Sequence, residues 1–137
     1  MRRLGMMLFF LSALVIVSCD KDEDDEVSER FRLLTTPVWL SDELLVNGTD
    51  ASEGLLENFS GEANFREDGS GTFGELTGTW EFLQEETQIR ITTDAYPFPI
   101  IADIAGLTEN FLDLTTQFPN PENIQESLAI RMTFNAK

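Results

Sequence analysis

Between Leu128 and Asn135 the chain alternates without a fault: Leu128, Ile130, Met132 and Phe134 on one side, Ala129, Arg131, Thr133 and Asn135 on the other. A period of two marks a strand with one wet face and one buried face, because successive side chains point to opposite sides of a sheet. The pattern recurs upstream. Phe59, Gly61, Ala63 and Phe65 alternate with Ser60, Glu62, Asn64 and Arg66, and Trp80 and Phe82 alternate with Thr79 and Glu81. Ile89 and Ile91 oppose Arg90 and Thr92, Leu112 and Leu114 flank Asp113, and the run from Ser70 to Glu75 points Phe73 one way. Glu67-Asp68-Gly69 is a tight-turn signal, and Asn47-Gly48-Thr49 reads as a second turn. No long helical period separates these runs, which excludes an alternating strand–helix architecture. The chain is expected to be all-β.

About eight strands fit into roughly 100 residues with short connections between them. Closure removes the exposed sheet edges, so a small antiparallel meander β-barrel is expected, with a two-sheet sandwich as the alternative. Ser28 to Leu34 can form a short helix ahead of it, with Ser28 as N-cap, Glu29 in the first turn and Pro37 as the stop. Two segments have no clean reading. Val38–Val46 puts Trp39 and Leu45 on one face and Val38, Leu40, Leu44 and Val46 on the other. Pro97-Phe98-Pro99 reads as an edge or loop, with a strand expected from Ile100 to Ala105.

Composition narrows the function classes. The chain has 137 residues, enough for one compact domain, with 25 Asp and Glu against nine Lys and Arg. A formal charge of −16 argues against nucleic acid as a partner, since phosphate contacts need cationic side chains. The absence of His removes Ser-His-Asp and Cys-His nucleophile systems and His-ligated zinc. A single Cys excludes an internal disulfide and any CxxC metal site.

That Cys sits where an address belongs. Arg2 and Arg3 precede an apolar run from Leu4 to Val17, which as a helix would span about 21 Å and fall short of a bilayer core. Ile16-Val17-Ser18-Cys19 then resembles the bacterial lipobox, with Ile16 at its usual Leu position. Residues 1–18 are therefore expected to be a lipoprotein signal peptide. Cys19 is expected to be lipidated, by palmitate or similar acyl chains, and to hold the protein on a membrane; two or more chains give stable anchoring. Residues 19–27 read as the lipidated Cys and an acidic tether, with six acids and one Lys from Asp20 to Glu26. An EF-hand reading of Asp20, Asp22 and Asp24 fails, because Asp25 stands where Gly is required and Phe31 where Glu is. Cys19-Asp20-Lys21-Asp22-Glu23 resembles instead the signal that sends lipoproteins of Bacteroidota-type Gram-negative bacteria to the cell surface. Display on the outer membrane surface is expected, with the periplasmic face as the alternative.

Residues 28–137 carry a further, diffuse resemblance. Thr36-Pro37-Val38-Trp39-Leu40, Val46-Asn47-Gly48-Thr49, Phe65 to Phe73, Gly78-Thr79-Trp80-Glu81-Phe82 and Ile130 to Phe134, preceded by lipobox, tether and helix, are similar to the lipocalin-like domain lipoproteins of Bacteroidota. The resemblance implies a small meander barrel, mostly without an assigned activity. Many proteins with related barrels bind apolar small molecules, an analogy from fold.

No catalytic constellation emerges, and no enzyme activity or cofactor is expected. The pairs Asp42-Glu43 and Glu85-Glu86 read as strand neighbours pointing to opposite faces, and Glu67-Asp68 lies in a turn, so none forms an acid/base dyad. The aromatic face is the better candidate: Phe65, Phe73, Trp80, Phe82 and Phe134 are expected to line the interior. Two functions follow. In one, the barrel takes up a small apolar ligand; in the other, a filled barrel presents its loops to a protein or glycan partner. Residues 30–137 hold 18 acids and six bases, and Arg66, Arg90 and Arg131 all fall on the outward face. No cation is left to meet a buried carboxylate, so a ligand should be neutral or cationic.

Overall fold

The computed structural model describes residues 28–137. The expected signal peptide, Cys19, the export-like Asp20–Glu23 and the rest of the expected tether lie outside the described residues.

Helix α1 (Glu29–Thr35) opens the domain, capped as its sequence dictates: the Ser28 Oγ accepts from the Phe31 N–H at 3.0 Å. Nine strands follow: β1 (Trp39–Val46), β2 (Thr49–Asp50), β3 (Glu62–Phe65), β4 (Ser70–Phe73), β5 (Leu76–Leu83), β6 (Gln88–Thr93), β7 (Ile100–Leu107), β8 (Phe111–Asn120) and β9 (Asn123–Ala136). All pairings are antiparallel. β1 and β3 to β9 pair in chain order, and β9 returns to β1, closing an eight-stranded meander barrel. β2 is a short addition, paired to the end of β1 through a two-residue hairpin at Asn47-Gly48. Both turn residues have positive φ, 51° and 83°, the geometry that matches strand twist and selects Asn-Gly.

The interior follows the alternation. Ala63 and Phe65, Phe73, Trp80, Ile89 and Ile91, Leu112 and Leu114, and Ile130, Met132 and Phe134 are all buried. Arg66 and Arg131 are exposed and Arg90 half-exposed, as their outward positions require.

Three readings are corrected. Phe59 is not in a strand with Ala63 and Phe65. It lies in a 3-10 turn (Glu57–Phe59), and β3 begins only at Glu62 after Gly61 at φ 113°. In β1, Trp39 and Leu44 share the inside, not opposite faces. The register runs Ser41↔Phe134 and then Leu44↔Met132, so β1 spends three residues where β9 spends two. That bulge inverts the parity of everything after it. Thr133 satisfies it: its Oγ1 accepts from the Glu43 N–H at 3.0 Å and donates to Asp42 Oδ2 at 3.2 Å. The same geometry places Asp42-Glu43 in a bulge. Glu85-Glu86 lies in the β5–β6 turn, where Gln84, Glu85 and Glu86 all have positive φ. Neither pair therefore sits on a regular strand.

Candidate functional site

The expected interior aromatics come together in part. Phe65 packs edge-on against Phe73 and Trp80 at centroid distances of 5.3 and 5.7 Å, and Trp80 against Phe82 at 5.3 Å. Alternate positions on adjacent strands place them on one wall, and such tilted contacts suit the ring quadrupoles. Phe134 is buried too, but it stands on β9 opposite Leu112 and makes no ring pair with this group.

What fills the space beside these rings is the helix. Phe31 of α1 lies 5.7 Å from Trp80 and 6.5 Å from Phe82, and Leu34 is fully buried. The helix is fastened at both ends. Ser28 Oγ donates to Glu86 Oε2 at 2.5 Å and Arg30 Nε to the Glu86 carbonyl at 2.8 Å, while Trp39 Nε1 donates to the Leu34 carbonyl at 2.9 Å. Trp80 Nε1 donates to the Arg66 carbonyl at 2.8 Å, so both indoles are buried with their donors satisfied. α1 is thus a plug in one barrel end.

The other end is closed by a second aromatic group, of which the period-two reading contains only Phe59, and that one in a strand. Tyr96 stacks on Phe59 at 6.2 Å and meets Phe118 edge-on at 5.4 Å, and Phe98 covers Phe118 at 5.4 Å. Burial pushes the Tyr96 phenol above its ordinary pKa, so it stays neutral there. Leu55 and Leu56, from the segment after β2, complete this closure. Behind this closure, the cavity bounded by Leu55, Leu56, Phe59, Tyr96, Ile100, Phe118 and Met132 measures only about 10 Å³. That is roughly the space of one water, whereas small-molecule sites occupy about 300–1,000 Å³.

The larger hollows are open grooves on the outside. One, of about 500 Å³, crosses β7, β8, β9 and β1 past Ile101, Thr115 and Arg131. Its cation is already matched: Arg131 makes a bidentate pair with Asp113, at 3.1 and 2.9 Å, and this pairing holds the guanidinium above its usual pKa. Arg90 and Lys137 each make a single ion-pair contact, with Glu81 and Glu62 respectively. Another groove, of about 380 Å³, lies at the barrel end remote from α1, between the β1–β2 hairpin and the β8–β9 turn. Among the described residues, no three Asp or Glu side chains converge as metal ligands.

No known protein-family model matches the chain, and no curated protein matches it.

Proposed function

We propose that the protein is a surface-displayed lipoprotein whose lipocalin-like barrel serves as a non-enzymatic interaction module, anchored through Cys19 on a short acidic tether. The lipobox-like Ile16–Cys19 and the export-like Asp20–Glu23 support the address. The meander barrel supports the lipocalin-like reading, because its strands pair in chain order and close first to last. The observation that carries the module reading is the filled interior: Phe31 and Leu34 of α1 pack at one end, Tyr96, Phe118 and Leu55 shut the other, and the cavity behind that closure measures about 10 Å³. A barrel packed to this density has its rims and outer wall left for recognition.

The test is a titration of the full chain, in detergent micelles, with palmitate and with its alcohol. Neither is expected to saturate a site at one per chain. Stoichiometric, saturable binding of either would replace the module by a carrier. Between the two, the alcohol would then be the tighter, since Arg66, Arg90 and Arg131 all lie outside the barrel and two of them are already paired. The anchor is tested separately. Cys19→Ala is expected to move the protein from the membrane fraction to the soluble one, and unchanged fractionation would remove the lipoprotein reading without touching the fold.

A further inference from the structure

β8 and β9 are longer than the strands beside them. β7 pairs with β8 only from Leu112 to Thr115, with the Thr116 Oγ1 reaching on to donate to the Ile101 carbonyl at 2.6 Å, and β1 pairs with β9 only from Ala136 to Ile130. The β8–β9 ladder continues past both, through Phe118↔Leu128 and Pro119↔Ser127 to Asn120↔Asn123. A two-stranded ribbon therefore stands out from the barrel end remote from α1, with a backbone edge on each side.

The two edges differ. On the β8 side Pro119 removes a backbone donor, a common way to blunt an edge. On the β9 side the edge is first occupied and then open. Asn47 imitates one more strand pair there: its N–H donates to the Ala129 carbonyl at 2.7 Å, and its Oδ1 accepts from the Ala129 N–H at 2.9 Å. Groups on one edge recur every second residue, so Ser127 presents its N–H and C=O on the same side, beyond the reach of β1. From Ile124 to Leu128 this edge has neither Lys nor Pro. Beside it lies the end groove of about 380 Å³, walled by Val46, Ala51, Leu55 and Leu128. Ile124 is 83% exposed at its outer end.

Charge selects the occupant. The rim carries Asp50 and Glu122 in the groove and Glu126 on the ribbon, with Glu53, Glu57 and Asp94 on the neighbouring loops. The six bases of residues 28–137 lie elsewhere: Arg30 and Arg32 in α1, Arg66 and Lys137 at the α1 end, Arg90 and Arg131 in ion pairs on the wall. A second copy using the same edge would set Glu126 and Glu122 against their own images, and the acidic tether would meet the same repulsion. An extended segment alternating cationic and apolar side chains answers every feature at once: backbone pairing at Ser127, apolar residues in the groove, cations toward the rim.

We propose that the open β9 edge around Ser127, with the groove beside it, binds an extended basic and apolar peptide segment of a partner protein by strand addition. This rests on the module reading. It also uses the barrel end opposite the Ser28 end at which the chain comes in from the tether.

The experiment uses the full chain in detergent micelles and a fluorescent eight-residue peptide of alternating Lys and Val, read by anisotropy. An alternating Glu and Val peptide is the comparator. The Lys–Val peptide is expected to bind about tenfold or more tighter than the Glu–Val peptide, and more weakly as salt rises. Ser127→Pro removes the edge donor and leaves the β8 ladder intact; it should lower affinity about tenfold with an unchanged unfolding midpoint. Should that variant unfold, Asp50→Asn with Glu122→Gln changes only exposed rim charge and should lower affinity at least about threefold. Equal affinity of a folded Ser127→Pro, or of the Glu–Val peptide, overturns the proposal. So does self-association of the chain that Ser127→Pro abolishes, which would make a second copy the occupant. Absence of Lys–Val binding overturns the rim assignment alone; together with saturable binding of the long-chain alcohol it overturns the module reading as well.

Discussion

Trp39→Ala is expected to cost about 4 kcal/mol of folding stability, at the upper end of large-to-small core substitutions. Three losses combine. The indole is fully buried, so its removal leaves a void that the barrel closes only in part. Its Nε1 donor holds the Leu34 carbonyl at 2.9 Å, near the end of α1, and that acceptor loses its partner. Trp39 is also the first residue of β1, paired to both Ala63 of β3 and Ala136 of β9, at the seam where the barrel closes. For a domain of this size the midpoint should fall by on the order of 20 °C, measurable by thermal or urea unfolding. Trp39→Phe keeps most of the volume and should cost about half as much, which separates packing from the lost hydrogen bond. A loss below about 1 kcal/mol for the alanine variant would mean that α1 is not held by this contact.

The pattern that made the barrel legible was local, and its failures are where partners decide. Leu128 to Phe134 could be read residue by residue because every inward position is large and apolar, while the outward ones are Ala129, Arg131 and Thr133. Trp39 and Leu44 could not: the bulge that brings them to one side is set by the register against Phe134 and Met132, some ninety residues away. Phe59 sat in phase with Ala63 and Phe65 by accident, and Gly61 at positive φ breaks that phase. The first aromatic wall was foreseen, since Phe65, Phe73, Trp80 and Phe82 lie on neighbouring strands. Phe31, which fills the space beside it, belongs to a helix too short to show a face. Tyr96 and Phe98 come from a proline-flanked loop with no period at all. The rim groove gave no signal, because Asp50, Leu55, Glu122 and Leu128 meet only through the closure of the barrel.

Gly78→Ala should be the other severe change, and for a reason unlike that of Trp39. Gly78 lies inside β5, two residues before Trp80 on the same face, opposite Gly71 on β4 and Thr93 on β6. A Cβ there would stand 2.0 Å from the Thr92 carbonyl oxygen and 3.0 Å from its carbon. The obstacle is backbone, so no rotamer change can relieve it. Either β6 moves away from β5, stretching the ladder from Gly78↔Thr93 to Leu83↔Gln88, or the barrel wall bends. Overpacking of this kind costs about 3 kcal/mol. Gly48→Ala supplies the contrast: nothing lies within 4 Å of its Cβ, but φ is +83°, so only backbone strain of about 1 kcal/mol is expected. Urea unfolding of both variants should give Gly78→Ala the larger loss, with slower hydrogen exchange lost first along β5 and β6. Equal losses would show that strand dihedrals, and not the close approach of β5 and β6, limit what this position accepts.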